Sequence, residues 1–163
     1  MVFCFSAPAN AYTTFSTDQN GNTIETANPP QVIGDVYFRQ AINTALAELD
    51  NKAPTDYIDV CKYVSSIQVG IHQNKDCYAF CNLDKIYITP LFISSRCYFS
   101  SFIAGILVHE ATHAKQFYWG TIYEKTENQY EREAYGRTIG AMYTLGVPQT
   151  YINGEIRLLN EHR

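Results

Sequence analysis

The chain has 163 residues, of which 46% are hydrophobic and 17% charged, values that belong to one folded globular domain with a sizeable core. Its net charge of −4 comes with no basic cluster, which argues against nucleic acid or an anionic membrane surface as partner. No apolar run reaches the length of a transmembrane helix.

Met1–Ala11 reads as the tail of a secretory signal. A short apolar stretch precedes the small-x-small site Ala9-Asn-Ala11, but a basic segment and a full apolar segment are missing, as in a truncated signal. Residues 12–34 are rich in Thr, Asn, Gly and Pro, with a turn signal at Gln19-Asn-Gly-Asn22, and read as an extended lead-in, one hairpin or a pro-segment. Asp35 to Asp50 predicts an amphipathic helix with Phe38, Ile42, Ala45, Leu46 and Leu49 as its buried stripe. Tyr57 to Val64 fits a helix or a strand equally well. Ser66 to His72 alternates and predicts a strand with Ile67, Val69 and Ile71 inward. Cys77–Cys81 and Lys85–Thr89 predict two strands around an Asn82-Leu-Asp84 turn, with Pro90 ending the second.

The stretch Leu107-Val-His-Glu-Ala-Thr-His-Ala114 follows the apolar run Phe102–Val108 and predicts a buried helix that Ser100 or Ser101 caps and that stops near Gly120. His109 and His113, four apart, lie about 40° from each other around a helix axis, so both imidazoles reach one metal ion. Glu110 lies about 100° around from His109, poorly placed as a ligand to the same ion but well placed to hold a water beside it. A third ligand is expected from the next helix, Thr126 to Leu145, which Thr126 starts and Gly146 ends. Two glutamates compete there. Glu131 shares a face with Ala134, Tyr135, Ile139, Ala141, Met142 and Leu145, whereas Glu133 falls with Arg137, Gly140 and Thr144. Glu131 is therefore the expected ligand, because a core-facing carboxylate is costly unless paired or bound to metal. Glu133 is expected to be a solvated residue, pairing with Arg137. A last short helix is expected from Tyr151 to Asn160.

A helix bearing His-Glu-x-x-His and a second helix supplying glutamate, here Glu131-Arg-Glu-Ala134-Tyr135, resembles the gluzincin metallopeptidases in a small, single-domain form. The resemblance spans about Lys85 to Leu145. The order of helix, strands, metal helix and ligand helix predicts an α+β unit with a small, mostly antiparallel sheet packed on the metal helix, and the resemblance implies a zincin-like domain over residues 35–163. It also implies one zinc ion per chain on His109, His113 and Glu131, with Glu110 as general base in peptide hydrolysis. The family often has aspartate where Tyr135 stands; there it supports the first histidine. An edge strand drawn from Cys77 to Thr89 is expected to pair with substrate backbone. With no large second domain after Glu131, a shallow cleft is expected, suited to an exposed protein substrate or completed by a pro-segment or inhibitor partner. Oxyanion stabilisation falls to Tyr118, Tyr123, Tyr135 or His72. The metzincin pattern does not fit, since it needs Gly at position 116 and His at 119, where this chain has Gln116 and Trp119. Two histidines and a carboxylate also suit non-haem iron, but the glutamate between the histidines favours zinc.

Apart from Cys4 in the signal-like segment, Cys61, Cys77, Cys81 and Cys97 form an even set. Two disulfides in a secreted or periplasmic protein are the leading expectation, with free thiols as the alternative. Their spacing does not suit a four-thiolate metal site. The rival to a peptidase is a secreted metal-binding or disulfide-bonded interaction module without catalysis.

Overall fold

The computed structural model describes residues 13–17, 21, 23–73, 77–94 and 99–162. The signal-like segment, Cys4 and Cys97 lie outside them. Strands β1 (Thr13–Thr17) and β2 (Thr23–Ala27) pair antiparallel, the hairpin expected of the lead-in.

The rest of the chain is an α+β unit built around a four-stranded mixed sheet. Strand β3 (Gln31–Ile33) opens it. Helix α1 (Val36–Lys52) starts where the Asp35 carboxylate accepts the Phe38 N–H at 2.8 Å, and it buries the five residues of the expected stripe. Helix α2 (Pro54–Tyr63) follows at once, so the ambiguous segment is helical. Pro54 fits its first turn, and Val60, Cys61 and Tyr63 turn inward.

Strand β4 (Ser66–Val69) is shorter than expected. Ile67 is buried, but Val69 is half-exposed and Ile71 is 88% exposed. Alternation already fails at Val69, and beyond it Gly70 packs against Tyr87, where a Cβ would come within 2.6 Å of the Tyr87 Cβ. Strands β5 (Ala79–Asn82) and β6 (Lys85–Ile88) form the expected hairpin; Leu83 takes a positive φ of 59° in its two-residue turn. Pro90 both ends β6 and starts the short helix α3 (Pro90–Ser94).

The sheet order is β3-β4-β6-β5, with β3–β4 and β4–β6 parallel and β6–β5 antiparallel. This corrects the expectation of a mostly antiparallel sheet. The helical pair α1–α2 carries the chain back to start β4 at the same end as β3, which makes those strands parallel.

Helix α4 (Ser100–Tyr118) is the centre of the core and is buried over nearly its whole length. Phe99, without a side-chain cap, occupies its N-cap, and Ser100 instead donates its hydroxyl to Glu48 on α1. After a 3-10 turn (Thr121–Tyr123), helix α5 (Glu127–Leu145) starts in a capping box between Thr126 and Gln129 and ends at Gly146, with φ of 74°. Helix α6 (Gln149–Glu161) packs on α5. Gly105 lets α5 approach α4 closely, since a Cβ there would come within 2.7 Å of Met142 Cε. Arg137 on α5 reaches Asp56 and Asp59 on α2, and Lys115 on α4 shares Asp59. Among the described residues, no helix is long and apolar enough to cross a membrane.

Candidate metal centre

One turn beyond Gly105, α4 brings His109 and His113 together on a single face, both buried. Their Nε2 atoms are 3.1 Å apart. Glu131 reaches across from α5, with one carboxylate oxygen 3.5 Å from His109 Nε2 and the other 3.5 Å from His113 Nε2. The three residues form a group able to hold a metal ion. One ligand atom from each of the three lies within 4.8 Å of the others, and two nitrogens with one carboxylate oxygen are a donor set that zinc accepts.

The protons on the two rings are set from behind. Thr138 Oγ1 donates to the Ala134 carbonyl at 2.8 Å, so its oxygen is left to accept, and His109 Nδ1 at 3.2 Å must donate to it. The Gln116 amide nitrogen faces two acceptors, the Tyr130 carbonyl and the Glu133 carboxylate, each at 3.1 Å. Its amide oxygen therefore faces His113 Nδ1, at 2.9 Å, and that nitrogen donates as well. Each neutral ring then carries its lone pair on Nε2. Two lone pairs and a carboxylate converge on one point, an arrangement that requires positive charge between them.

Without a metal, protons answer the same need. Burial pushes the Glu131 carboxyl up, but hydrogen bonding from His109 and His113 prevails and holds it well below the usual carboxylate range. Burial works against charge on His113, yet contact with Glu131 and the nearby Glu110 carboxylate hold it above its ordinary value.

The structure brings together His109, His113 and Glu131 as expected and revises their support. Glu133 is exposed, as expected, but it does not pair with Arg137. It binds Lys125 at 2.6 Å and Gln116, so it stands behind His113. Tyr135 does not replace an aspartate acceptor for His109; Thr138 does that, and the Tyr135 ring meets His109 edge to face at 4.6 Å. Tyr130 meets His113 similarly at 5.7 Å. Sequence reasoning passed over Thr138 and Gln116, although both carry a positional signal. Thr138 is seven residues, two helical turns, beyond Glu131, and Gln116 is one turn beyond His113.

Glu110 is buried beside the triad but outside it. Burial raises its carboxyl above the usual range; the two histidines oppose this, and Glu131 adds to it. The backbone N–H of Cys81 on β5 also hydrogen-bonds it. β5 is an edge strand. Asn82–Lys85 closes the two-residue turn, and the Thr89 N–H bonds the Tyr78 carbonyl. The Cys81–Ile86 and Ala79–Ile88 pairs are then the non-hydrogen-bonded ones, and the backbone groups of Cys81 and Ala79 point to the open edge.

The triad, Glu110 and β5 line a cavity of about 630 Å³. Of the expected oxyanion donors, Tyr135 and His72 line it. Tyr118 packs instead on Tyr63 and Trp119, and Tyr123 lies outside the lining. Tyr130 lines it too. Burial, followed by the nearby carboxylates, pushes the phenols of Tyr135 and Tyr130 up, which keeps both protonated as donors.

Cys61, Cys77 and Cys81 are free thiols, which corrects the expectation of two disulfides. Cys61 is buried on α2 against the Tyr57 hydroxyl. Cys77 donates to the Ala79 carbonyl at 2.9 Å and Cys81 to the Leu83 carbonyl at 3.2 Å. Four residues of extended chain span about 13 Å, beyond disulfide reach for Cys77 and Cys81.

No protein-family profile, no curated protein and no solved structure matches this chain.

Proposed function

We propose that this protein is a zinc-dependent peptidase of the gluzincin kind, holding one zinc ion on His109, His113 and Glu131. The observation that carries the reading is the convergence of two bare imidazole nitrogens and a carboxylate beside a second, buried carboxylate that is not part of the ligand set. A bound zinc ion supplies Lewis acidity, which makes water a nucleophile near neutral pH and polarises a carbonyl.

The other steps belong to the chain. Glu110 takes the proton of the attacking water and delivers it to the leaving amine. Its raised carboxyl pKa suits a group that must do both, and the Cys81 N–H fixes its orientation. Tyr135 or His72 donates to the developing oxyanion from the cavity wall. The open edge of β5 is where a peptide pairs by main-chain hydrogen bonds, through the outward groups other than the Cys81 N–H, which Glu110 takes, and the Ala79 carbonyl, which the Cys77 thiol takes. The substrate is a peptide or an accessible protein segment. Export of the protein is supported by composition and by the signal-like segment Met1–Ala11, and no longer by the cysteines, three of which are free thiols.

The experiment is Glu110→Gln in zinc-loaded protein. The substitution keeps the metal and removes turnover of an unfolded protein substrate. Equal inertness of the unaltered protein and the variant, with metal present in both, leaves a metal-binding module and ends the enzyme reading.

A further inference from the structure

One wall of the cavity is not used by the chemistry above. Helix α6 presents Glu155 and, one turn on, Leu158 to the space that also contains Glu110 and Glu131. Glu155 is 6% exposed. Among the described residues none gives it a hydrogen bond or an ion pair, and its oxygens are not sealed in the core, so they open into the cavity. Burial raises its carboxyl, with His109 opposing. Among the described residues, the other carboxylates lining the cavity are those of Glu110, Glu127 and Glu131, and no lysine or arginine lines it.

A carboxylate so placed is costly unless a donor reaches it. A second metal ion is not the donor it lacks. Among the described residues the only set of three metal-ligating side chains is the triad, and Glu155 is outside it. The remaining donor is one that arrives with the substrate. We infer that Glu155 is a specificity-determining residue that receives an ammonium group of the peptide, so the site selects substrates with a primary amine close to the bond to be cut. The amine is either a free amino terminus or a lysine side chain. This deepens the peptidase reading and rests on it for the position of the scissile bond.

Binding is read by calorimetry on zinc-loaded protein with three probes, namely leucyl-phenylalanine amide, its N-acetyl form and N-acetyl-lysyl-phenylalanine amide. At least one ammonium probe is expected to bind about 10-fold or more tightly than the N-acetyl-leucyl form, as befits an ion pair formed in a buried site. Glu155→Gln brings the probes to within about 2-fold of one another. Tight binding of the free-amine probe alone identifies the amino terminus as the ligand; tight binding of the lysyl probe identifies the side chain. The inference is overturned if all three bind alike, if none binds, or if the preference survives Glu155→Gln. The comparison of probes on the unaltered protein needs no variant to fold. Hydrolysis is followed in the same samples for the unaltered protein and Glu110→Gln. An intact ammonium preference without turnover removes the peptidase reading, and with it the link to a scissile bond, and leaves Glu155 as the residue that receives an ammonium group.

Discussion

Thr138 accepts the Nδ1 proton of His109 across 3.2 Å while giving its own proton to the Ala134 carbonyl one turn back. A hydroxyl used in both directions at 0% exposure fixes which nitrogen of His109 faces Glu131. Thr138→Val keeps the shape and removes the acceptor. Zinc affinity is expected to fall about 10- to 100-fold, and stability by about 1–3 kcal/mol from the unpaired N–H. Thr138→Ser should restore most of both. Competition with a chelator and thermal melts read the two effects, and equal affinity for Thr138→Val and the unaltered protein contradicts the assignment.

The chain Glu133–Gln116–His113 predicts graded effects. Gln116→Leu removes the acceptor that touches the ring and should weaken zinc binding about 10-fold or more. Glu133→Gln acts one step further out and loses a half-exposed pair with Lys125. Such a pair contributes about 0–1 kcal/mol, so its effect on affinity should be within about 3-fold. Reversed ranking in a zinc titration would place Glu133, not Glu131, at the metal.

Gly105→Ala tests how the helices set the ligand geometry. The added methyl would come within 2.7 Å of both Cγ and Cε of Met142, so that side chain must shift. Destabilisation of about 1–3 kcal/mol is expected, which lowers the melting temperature by about 2–4 °C per kcal/mol in a chain of this size. Because the strain pushes α5 from α4, zinc affinity should drop along with stability. Loss of stability with unchanged affinity would show that the triad does not depend on this contact.

The stability of the metal-free protein should fall as pH rises. Burial opposes protonation of His113, but Glu131 and Glu110 outweigh it and hold the imidazole above its ordinary value. Its stabilising effect is full below the unfolded pKa of about 6.5 and is lost as pH rises through the folded value. Glu110, raised by burial, acts in the same direction, since ionising it in the folded state costs more than in the unfolded chain. Glu131 behaves oppositely, because burial is overcome by its histidine partners. Its contribution is full above the unfolded carboxyl pKa of about 4.3 and is lost only in stronger acid. Zinc binding instead strengthens as protons leave the ligands. Melting temperatures of the metal-free and zinc-saturated protein, followed from about pH 5.5 to about pH 8, should therefore diverge; parallel curves contradict the coupling.

The parts of this molecule written in local patterns were legible. The buried stripe of α1 and the shared face of His109 and His113 follow from helical periodicity, the Thr126 start and Gly146 end of α5 from residue type, and each stands where expected. Glu131 was separable from Glu133 by helix angle alone. What depended on distant partners was not legible. The parallel sheet required β3, three residues long and hidden in a polar lead-in, and a crossover through α2, whose residues suit either kind of element. Thr138 and Gln116 matter through where their protons go, which periodicity does not encode. Glu155 lies four residues from Tyr151 in a helix with few buried positions, and only the packing of α6 on α5 brings it to the cavity.

The most direct test is the zinc content of the purified protein beside Glu131→Ala and Glu133→Ala. The account predicts about one zinc per chain in the unaltered protein and in Glu133→Ala, and loss of the metal in Glu131→Ala. No metal in any form after incubation with zinc, or full retention by Glu131→Ala, would contradict it.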